Sequence, residues 1–572
     1  MVRPKEEDST LIGLLQGELG KGDDQIRALL RQTLQQVLEE ELTAFLLART
    51  MYKQQYSFTD NFLQITTPHD FDMGNVDFNV RLQCNIHIRE GVNMSAMTRK
   101  EFLKQAACFG GAAVAYSLGG MTASAQGKRP NVIFILADDL GWGDLPCYGN
   151  QNTLAHGGWN VRGELKMPAL DRMASEGTRF TQFYVASGVC SPSRAGFMTG
   201  CFPGSLGIHD YLGSPELNRK RGCVDSLDTS IPTVTRLLKD AGYTTAHFGK
   251  WHLSSGPNAP KPTDYGIDLY DTCIKGSDGR VRSAEVIADS VISFVEANKD
   301  KPFFINAWVY DPHSPLHPTE EMMDVYKNLG TGWKGHRGAF EVYYGVLTNL
   351  DRHIGRIFEA LDRLGLSENT IVIFSSDNGF ETGLIPFISH YGGAATSGPF
   401  RGLKRSLYEG GIRTPLIVRW PEKTPANAVD NRSVIGGVDF LPTICALTGV
   451  KLPGGMKLDG EDMSGAILGK PKDKTKTLMW ENRFPVYGNV LDMSPILCIR
   501  ESKWKLLMNP DRSRIELFDI PNDPSEMSNL AEKQPDVVRN LSRQVLAWSK
   551  TLPPGPVDSM AGRNDYPWPK PR

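Results

Sequence analysis

Three largely apolar runs constrain this chain most: Asn131-Val132-Ile133-Phe134-Ile135-Leu136-Ala137, residues 303–309 and residues 370–374. A strand with one wet face alternates apolar and polar side chains. A run without that alternation has to be covered on both faces, as in a parallel sheet between layers of helix. Helical periodicity fills the intervals, over residues 170–176, 232–241, 285–298 and 343–364. Strands alternating with helices predict an α/β fold built on a largely parallel, helix-flanked sheet. In such a sheet ligands bind beyond the carboxyl ends of the strands, so the polar residues that close the apolar runs are the ones to collect.

After about residue 470 the texture changes. Leu478-Met479-Trp480, Ile496-Leu497-Cys498-Ile499-Arg500, Trp504-Lys505-Leu506-Leu507-Met508 and Glu516-Leu517-Phe518-Asp519 read as short strands between turns. An amphipathic helix over 536–550 and a Pro-rich tail over 553–572 follow. This pattern predicts a smaller C-terminal antiparallel sheet with a helix on it. The expected division is therefore a catalytic domain over 127–470 and a C-terminal subdomain with its tail over 471–572.

The beginning of the chain reads differently again. Ile26, Leu29, Leu30, Leu34, Val37, Leu38, Leu42 and Leu46 recur at helical spacing between charges. The text from Leu14-Leu15-Gln16-Gly17-Glu18 onward resembles the N-terminal part of mutator-type transposases. Residues 1–93 are expected to be an extension from a gene fusion or a misplaced start, with translation beginning at Met94 or Met97. From there Thr98-Arg99-Lys100-Glu101-Phe102-Leu103-Lys104 is basic, residues 105–121 are small and apolar, and Ala123-Ser124-Ala125 offers a cleavage site. Residues 94–126 thus read as an export signal, twin-arginine-like with Lys in the second place. Either the Tat or the Sec route fits. The mature protein is expected to begin near Gln126 and to be periplasmic or extracellular.

A net charge of -2 gives no general pull toward nucleic acid or anionic membrane, so any anion site must be local. No nucleic-acid partner is expected for the mature domain. No apolar stretch predicts a spanning helix, and no stable membrane insertion is expected. Beyond the expected cleavage site lie Cys147, Cys190, Cys201, Cys223, Cys273, Cys445 and Cys498. With Cys190 set aside for chemistry, the other six are available to pair in an oxidising compartment, in a connectivity that spacing does not fix.

Cys190 is set aside because of its neighbours, Ser191-Pro192-Ser193-Arg194-Ala195-Gly196, with Met198-Thr199-Gly200 behind them. Pro192 suits the first turn of a helix, where its missing N–H costs nothing. Cys190 then sits at the helix N-terminus, where free N–H groups and the dipole favour anions. Arg194, four residues on, shares its face. Reactive sulfur beside a fixed cation points to an anionic substrate. The string Cys190-Ser191-Pro192-Ser193-Arg194 resembles the signature of the type I sulfatases, arylsulfatase-like members of the alkaline phosphatase superfamily. The resemblance implies an alkaline-phosphatase-like α/β fold. It also implies that a formylglycine-generating maturation enzyme oxidises Cys190 to 3-oxoalanine (formylglycine), whose hydrated aldehyde is the nucleophile held by Arg194.

Asp138-Asp139 closes the first apolar run and Asp377-Asn378-Gly379 follows the third. Three carboxylates and an amide, with no soft ligand, suit a hard divalent cation, and ligand type alone admits magnesium as readily as calcium. Beside the Cys190 string these residues resemble the sulfatase calcium site. That implies one Ca2+ held by Asp138, Asp139, Asp377, Asn378 and the modified Cys190, with Asp377 also activating the nucleophile. In His247-Phe248-Gly249-Lys250-Trp251-His252, an extended backbone sends Lys250 and His252 to one side and Trp251 to the other. The family pattern implies that Lys250 binds sulfate and His252 helps the intermediate collapse, while His247 reads as structural.

Asp311-Pro312-His313-Ser314-Pro315-Leu316-His317-Pro318 is a proline-stiffened loop suited to positioning side chains. By resemblance His313 is the general acid for the leaving group and His317 a weaker candidate for substrate contact. Pro399-Phe400-Arg401-Gly402-Leu403-Lys404-Arg405 leads to Glu409-Gly410-Gly411 and resembles the second long family signature. Lys404 takes the place of the second sulfate-binding lysine. Glu409-Gly410-Gly411 reads as a turn needing small residues, and Arg401 and Arg405 as part of a solvated basic face or a polyanion patch. The resemblance spans roughly residues 128–550. It implies a sulfuric ester hydrolase acting on sulfated carbohydrate, with a formylglycine-dependent phosphonate monoester or phosphodiester hydrolase as the alternative.

Overall fold

The computed structural model describes residues 129–149, 165–272, 283–316, 318–327, 329, 338–381, 394–486 and 490–565. The expected N-terminal extension and export signal, Cys273 and His317 lie outside the described residues.

The strands of a large sheet are β1 (Asn131–Ala137), β2 (Thr178–Tyr184), β3 (Thr244–Gly249), β4 (Leu269–Asp271), β5 (Phe303–Trp308), β6 (Thr370–Ser376), β7 (Arg413–Arg419), β8 (Ala428–Asp430) and β9 (Ile435–Gly436). Their order is β4-β3-β5-β1-β6-β7-β2-β8, with β9 also paired to β2. Every pairing is parallel except the two made by β7. The three apolar runs are β5, β1 and β6, the adjacent central strands.

Helices α1 (Pro168–Glu176), α2 (Cys190–Thr199), α3 (Val234–Asp240), α4 (Ser283–Asn298), α5 (Ala339–Arg363) and α6 (Phe440–Thr448) cover the sheet. Alternate residues of β1 show why its sequence does not alternate. Val132, Phe134 and Leu136 enter one core with residues of α2, α3 and α6. Ile133, Ile135 and Ala137 enter a second core with residues of α1, α4 and α5. Each fully buried Ile or Phe contributes about 1.5–3 kcal/mol, so both faces reward an apolar residue.

Strands β10 (Leu478–Glu481), β11 (Leu497–Glu501), β12 (Trp504–Met508) and β13 (Glu516–Asp519) form a separate antiparallel sheet in that order. One face packs Leu497, Ile499, Leu506, Met508 and Leu517 against Leu541 and Val545 of α7 (Pro535–Ser549). From the other face Cys498, Leu507 and Phe518 join the first core of the large sheet. This is the predicted smaller antiparallel sheet with its helix.

The pairing that the cysteine count allowed is not seen among the described residues: Cys147, Cys190, Cys201, Cys223, Cys445 and Cys498 are all unpaired. Cys445 and Cys498 are instead small apolar fillers of the core. Burial pushes the Cys445 thiol up to about 12. No described helix is long and apolar enough to cross a membrane.

A buried ionic cluster joins the two sheets. Lys505 Nζ, on β12, donates to Glu409 Oε1 and lies beside Glu526 Oε1, each at 2.9 Å. Glu526 Oε2 accepts the Glu409 backbone N–H at 2.6 Å. Glu409 Oε2 accepts the Tyr184 hydroxyl at 2.6 Å and Arg413 Nη1 at 3.0 Å. Lys505→Met leaves two buried carboxylates short of their cation. The expected loss is about 3–5 kcal/mol of stability in urea unfolding, the usual cost of breaking a buried pair from one side.

Candidate active site

Strands β1, β3, β5 and β6 present their carboxyl ends along one edge of the large sheet, and β2 leads to the same edge. Strand β7 runs the opposite way, so the segment that precedes it arrives there too. Asp138 and Asp139 follow β1, Lys250 follows β3, His313 lies beyond β5, and Asp377 and Asn378 follow β6. Cys190 opens α2 after β2, and Lys404 precedes the reversed β7. Backbone bonds tie these connections to one another. Asp377 N–H donates to Ala137 O at 3.1 Å, Asp138 N–H to Asp311 O at 3.1 Å, and Lys250 N–H to Trp308 O at 2.9 Å.

Three carboxylates and three cations interlock in the interior. Arg194 donates from Nε (3.0 Å) and Nη2 (2.7 Å) to Asp377 Oδ2, and from Nη1 to Lys250 O at 2.9 Å. Its guanidinium lies 5.1 Å from the centre of the Trp308 ring, an attractive cation–π distance. Lys250 Nζ reaches Asp138 Oδ2 at 2.6 Å. Lys404 Nζ reaches Asp139 Oδ1 at 2.6 Å and Oδ2 at 2.8 Å. Asp139 adopts the left-handed conformation, with φ of 66°, and its N–H donates to Asp377 Oδ1 at 3.2 Å. Asn378 Nδ2 donates to Asp139 Oδ1 at 2.7 Å.

Burial works to raise all three carboxyl pKa values, and the neighbours decide the outcome. Lys250, His313 and Arg194 outweigh burial at Asp138 and hold it far below the usual carboxylate range. At Asp139, Lys404 and His313 lower it despite burial. At Asp377, burial and the Asp138 charge win over Arg194, and the pKa rises to about 6. Burial also raises the Cys190 thiol, which is 3% exposed.

Ligand atoms of Asp138, Cys190 and Asp377 lie within 4.8 Å of one another, as do those of Asp138, Asp139 and His313. Asp138 Oδ1 and Asn378 Oδ1 are buried and accept no hydrogen bond. Orphaned oxygens of this kind are rare in folded proteins. Here both belong to hard oxygen ligands beside two more carboxylates, a donor set that fits a calcium-like cation.

His313 sits at the half-buried rim. Its Nδ1 donates to Ser314 O at 2.6 Å, and its Nε2 lies 3.8 Å from Asp139 Oδ2. The expected extended segment is corrected: β3 ends at Gly249, whose φ is 105°, and His252 has a φ of 55°. Trp251 turns into the core against His247, and the two ring centres are 5.0 Å apart. His252 Nε2 lies 2.9 Å from Leu212 O; a carbonyl only accepts, so Nε2 carries the proton and Nδ1 keeps a free lone pair. That Nδ1 is buried without a partner, and burial with the Lys250 cation holds the ring's pKa well below its ordinary value.

Glu409-Gly410-Gly411 is a helical turn that needs small residues, as expected, because its glycines are in close contact with neighbouring backbone. A Cβ on Gly410 would lie 2.2 Å from Gly402 O, and one on Gly379 would lie 2.0 Å from Gly410 O. Arg401 and Arg405 are not a solvated face. Arg401 stacks 3.7 Å from the centre of the Tyr408 ring, and Arg405 is paired with a partly buried Glu381.

Two serines inside the Cys190 string, left without a role by the sequence alone, act as supports. Ser193 Oγ donates to Ser187 O at 2.6 Å and accepts Ser187 N–H at 3.2 Å, closing the turn that aims Cys190. Ser191 Oγ accepts Leu212 N–H at 3.0 Å, tying the residue that holds His252 to the Cys190 helix.

The profile of the Sulfatase family matches residues 130–450, and that of the N-sulphoglucosamine sulphohydrolase C-terminal region matches residues 401–551. The N-acetylgalactosamine-6-O-sulfatase of Bacteroides thetaiotaomicron is 28% identical, over 73% of this chain and 92% of its own. Human arylsulfatase A is 29% identical, over 73% of this chain and 82% of its own. The solved structure of Ps i-CgsB in complex with k-i-k-neocarrahexaose superposes with a TM-score of 0.61 at 25% identity, covering 76% of this chain and 97% of that one. The architecture is accordingly that of sulfatases with the alkaline-phosphatase-like fold. With the family profile running through the large sheet and its carboxyl edge, the chain belongs to the sulfatase family of sulfuric ester hydrolases.

Proposed function

We propose that this enzyme hydrolyses sulfate esters of carbohydrates through Cys190 after its conversion to formylglycine by a maturation enzyme. The observation that carries this reading is the placement of Cys190: buried at a helix N-terminus, in one cluster with Asp138 and Asp377 and close to Lys250, Lys404 and Arg194. The converted side chain supplies a hydroxyl that displaces the alcohol at sulfur. Asp138, Asp139, Asp377 and Asn378, with the converted Cys190, would hold a calcium ion, which contributes Lewis acidity toward a sulfuryl oxygen.

The remaining chemistry belongs to side chains present here. Lys250 and Lys404 hold the sulfuryl oxygens and stabilise their charge. Arg194, fixed by Asp377 and Trp308, orients the hydrated aldehyde. His313, with Nδ1–H engaged by Ser314 O, carries its transferable proton on Nε2 and gives it to the leaving oxygen. His252 offers the free lone pair of Nδ1 to the remaining hydroxyl proton, which releases sulfate and restores the aldehyde. The sulfated-carbohydrate class rests on relatives named N-acetylgalactosamine-6-sulfatases and on the carrahexaose complex. These relatives give the phosphonate alternative no support. Export through residues 94–126, to the periplasm or beyond, and the division near residue 470 belong to the same reading.

Peptide mass spectrometry across Cys190, on protein from its own host, is expected to show a loss of about 18 Da, the change when a thiol becomes an aldehyde. An intact thiol in active protein would remove the nucleophile from the scheme. His313→Ala is expected to lower kcat about 10²–10⁴-fold on an alkyl sulfate. The loss should be much smaller on a nitrophenyl sulfate, whose leaving group needs no proton; equal losses would mean that His313 is not the acid. Dialysis against a chelator should lower both activity and thermal midpoint, and calcium should restore them. At a hundredfold excess over Kd the ion adds about 2.7 kcal/mol. Asp138→Asn should abolish the calcium response.

A further inference from the structure

A second concentration of positive charge lies at the seam of the two sheets, where no residue of the catalytic cluster takes part. A cavity of about 220 Å³ opens between Gln182 of β2, the segments 432–434 and 473–477, and the turn from β11 to β12 at Ser502 and Lys503. Five cations line it, against only two carboxylates, Asp473 and Glu501. Three of the five have acidic partners. Arg432 pairs with Asp473 at 2.6 Å, Lys474 with Asp439 at 2.6 Å, and Lys503 with Asp519 at 2.7 Å.

The other two, Lys476 and Arg500, meet no carboxylate within salt-bridge distance among the described residues. Lys476 Nζ donates to the carbonyls of Leu458 and Gly460 at 2.7 and 2.8 Å. Arg500 is 3% exposed and lies over the Tyr184 ring at 4.5 Å. Its Nη2 donates to Gln182 Oε1 at 2.6 Å, while Nε and Nη1 have no acceptor. Burial lowers its pKa to about 9, which leaves it a cation at neutral pH. A buried guanidinium with spare donors, to which Glu526 lends charge only from a distance, is costly unless an anion completes it. A planar guanidinium matches the paired oxygens of a tetrahedral oxyanion.

We infer that this cavity is a second oxyanion site, built on Arg500 and Lys476, that takes a sulfate group either free or carried on a saccharide. On a chain acting on multiply sulfated carbohydrate, such a site holds a sulfate that is not being cut. On a chain whose product is sulfate, it takes up the product.

The test is calorimetric titration of the full-length enzyme with sodium sulfate at constant ionic strength, beside crystals soaked in selenate. Anomalous density at Arg500, and a binding event weakened at least tenfold by Arg500→Met while hydrolysis of a small aryl sulfate is unchanged, would support the site. Selenate confined to the catalytic cluster, or a titration that Arg500→Met leaves unaltered, would overturn it. If Arg500→Met does not fold, Lys476→Glu at the rim replaces it with the same expectation. A 6-sulfated hexosamine that binds more tightly than free sulfate identifies the ester as the ligand, and equal affinity identifies the free ion. Equal binding of the unsulfated sugar overturns the oxyanion assignment.

Discussion

The structure depends on six charges kept out of water in equal numbers of each sign. Asp138, Asp139 and Asp377 balance Arg194, Lys250 and Lys404, all of them buried. In a low-dielectric interior a single unpaired charge costs several kcal/mol, whereas a balanced and hydrogen-bonded set is tolerated. Balance alone does not exhaust the cluster: Asp138 Oδ1 and Asn378 Oδ1 remain without donors, and Arg194 leans on an indole as well as a carboxylate. These leftover valences separate a cluster prepared for ligands from one that only bridges the fold.

Topology explains how residues so far apart in sequence meet. Parallel strands deliver their following residues to one edge, which accounts for Asp138, Lys250, His313 and Asp377. Lys404 comes before its strand and reaches the same edge only because β7 is reversed. The reversal also places Glu409 where the small sheet reaches it, so the ionic cluster around Lys505 braces the turn carrying Gly410 and Gly411. Those glycines press against Gly379, next to Asn378. A residue on β12 therefore steadies the catalytic edge through backbone contacts, without touching it.

The sequence made the central strands legible because burial on both faces leaves an unalternating run, and β1, β5 and β6 all show it. The four short strands of the second sheet were legible from turn spacing. Most of the cluster could be nominated because its residues close strands or belong to compact strings such as Cys190–Arg194. What failed depended on three-dimensional packing. The extended segment expected from the sequence ran through His252, whose backbone is left-handed and whose ring is held by Leu212, a residue 40 positions away. A run of basic letters looked solvated because nothing local announces the Tyr408 ring under Arg401 or Glu381 beside Arg405. Cysteine counting suggested pairing where Cys445 and Cys498 simply fill apolar space.

The brace around Glu409 has a consequence in time. Asp138 is made early and Glu526 late, and at about 5–20 residues per second the ribosome separates them by roughly 20–80 s. Until the later residues emerge, the turn that packs on Asn378 lacks its support. High contact order of this kind makes the catalytic edge one of the last parts of the molecule to close. The Cys190 helix lies near the start of that interval, so its side chain remains reachable long before the finished interior seals it.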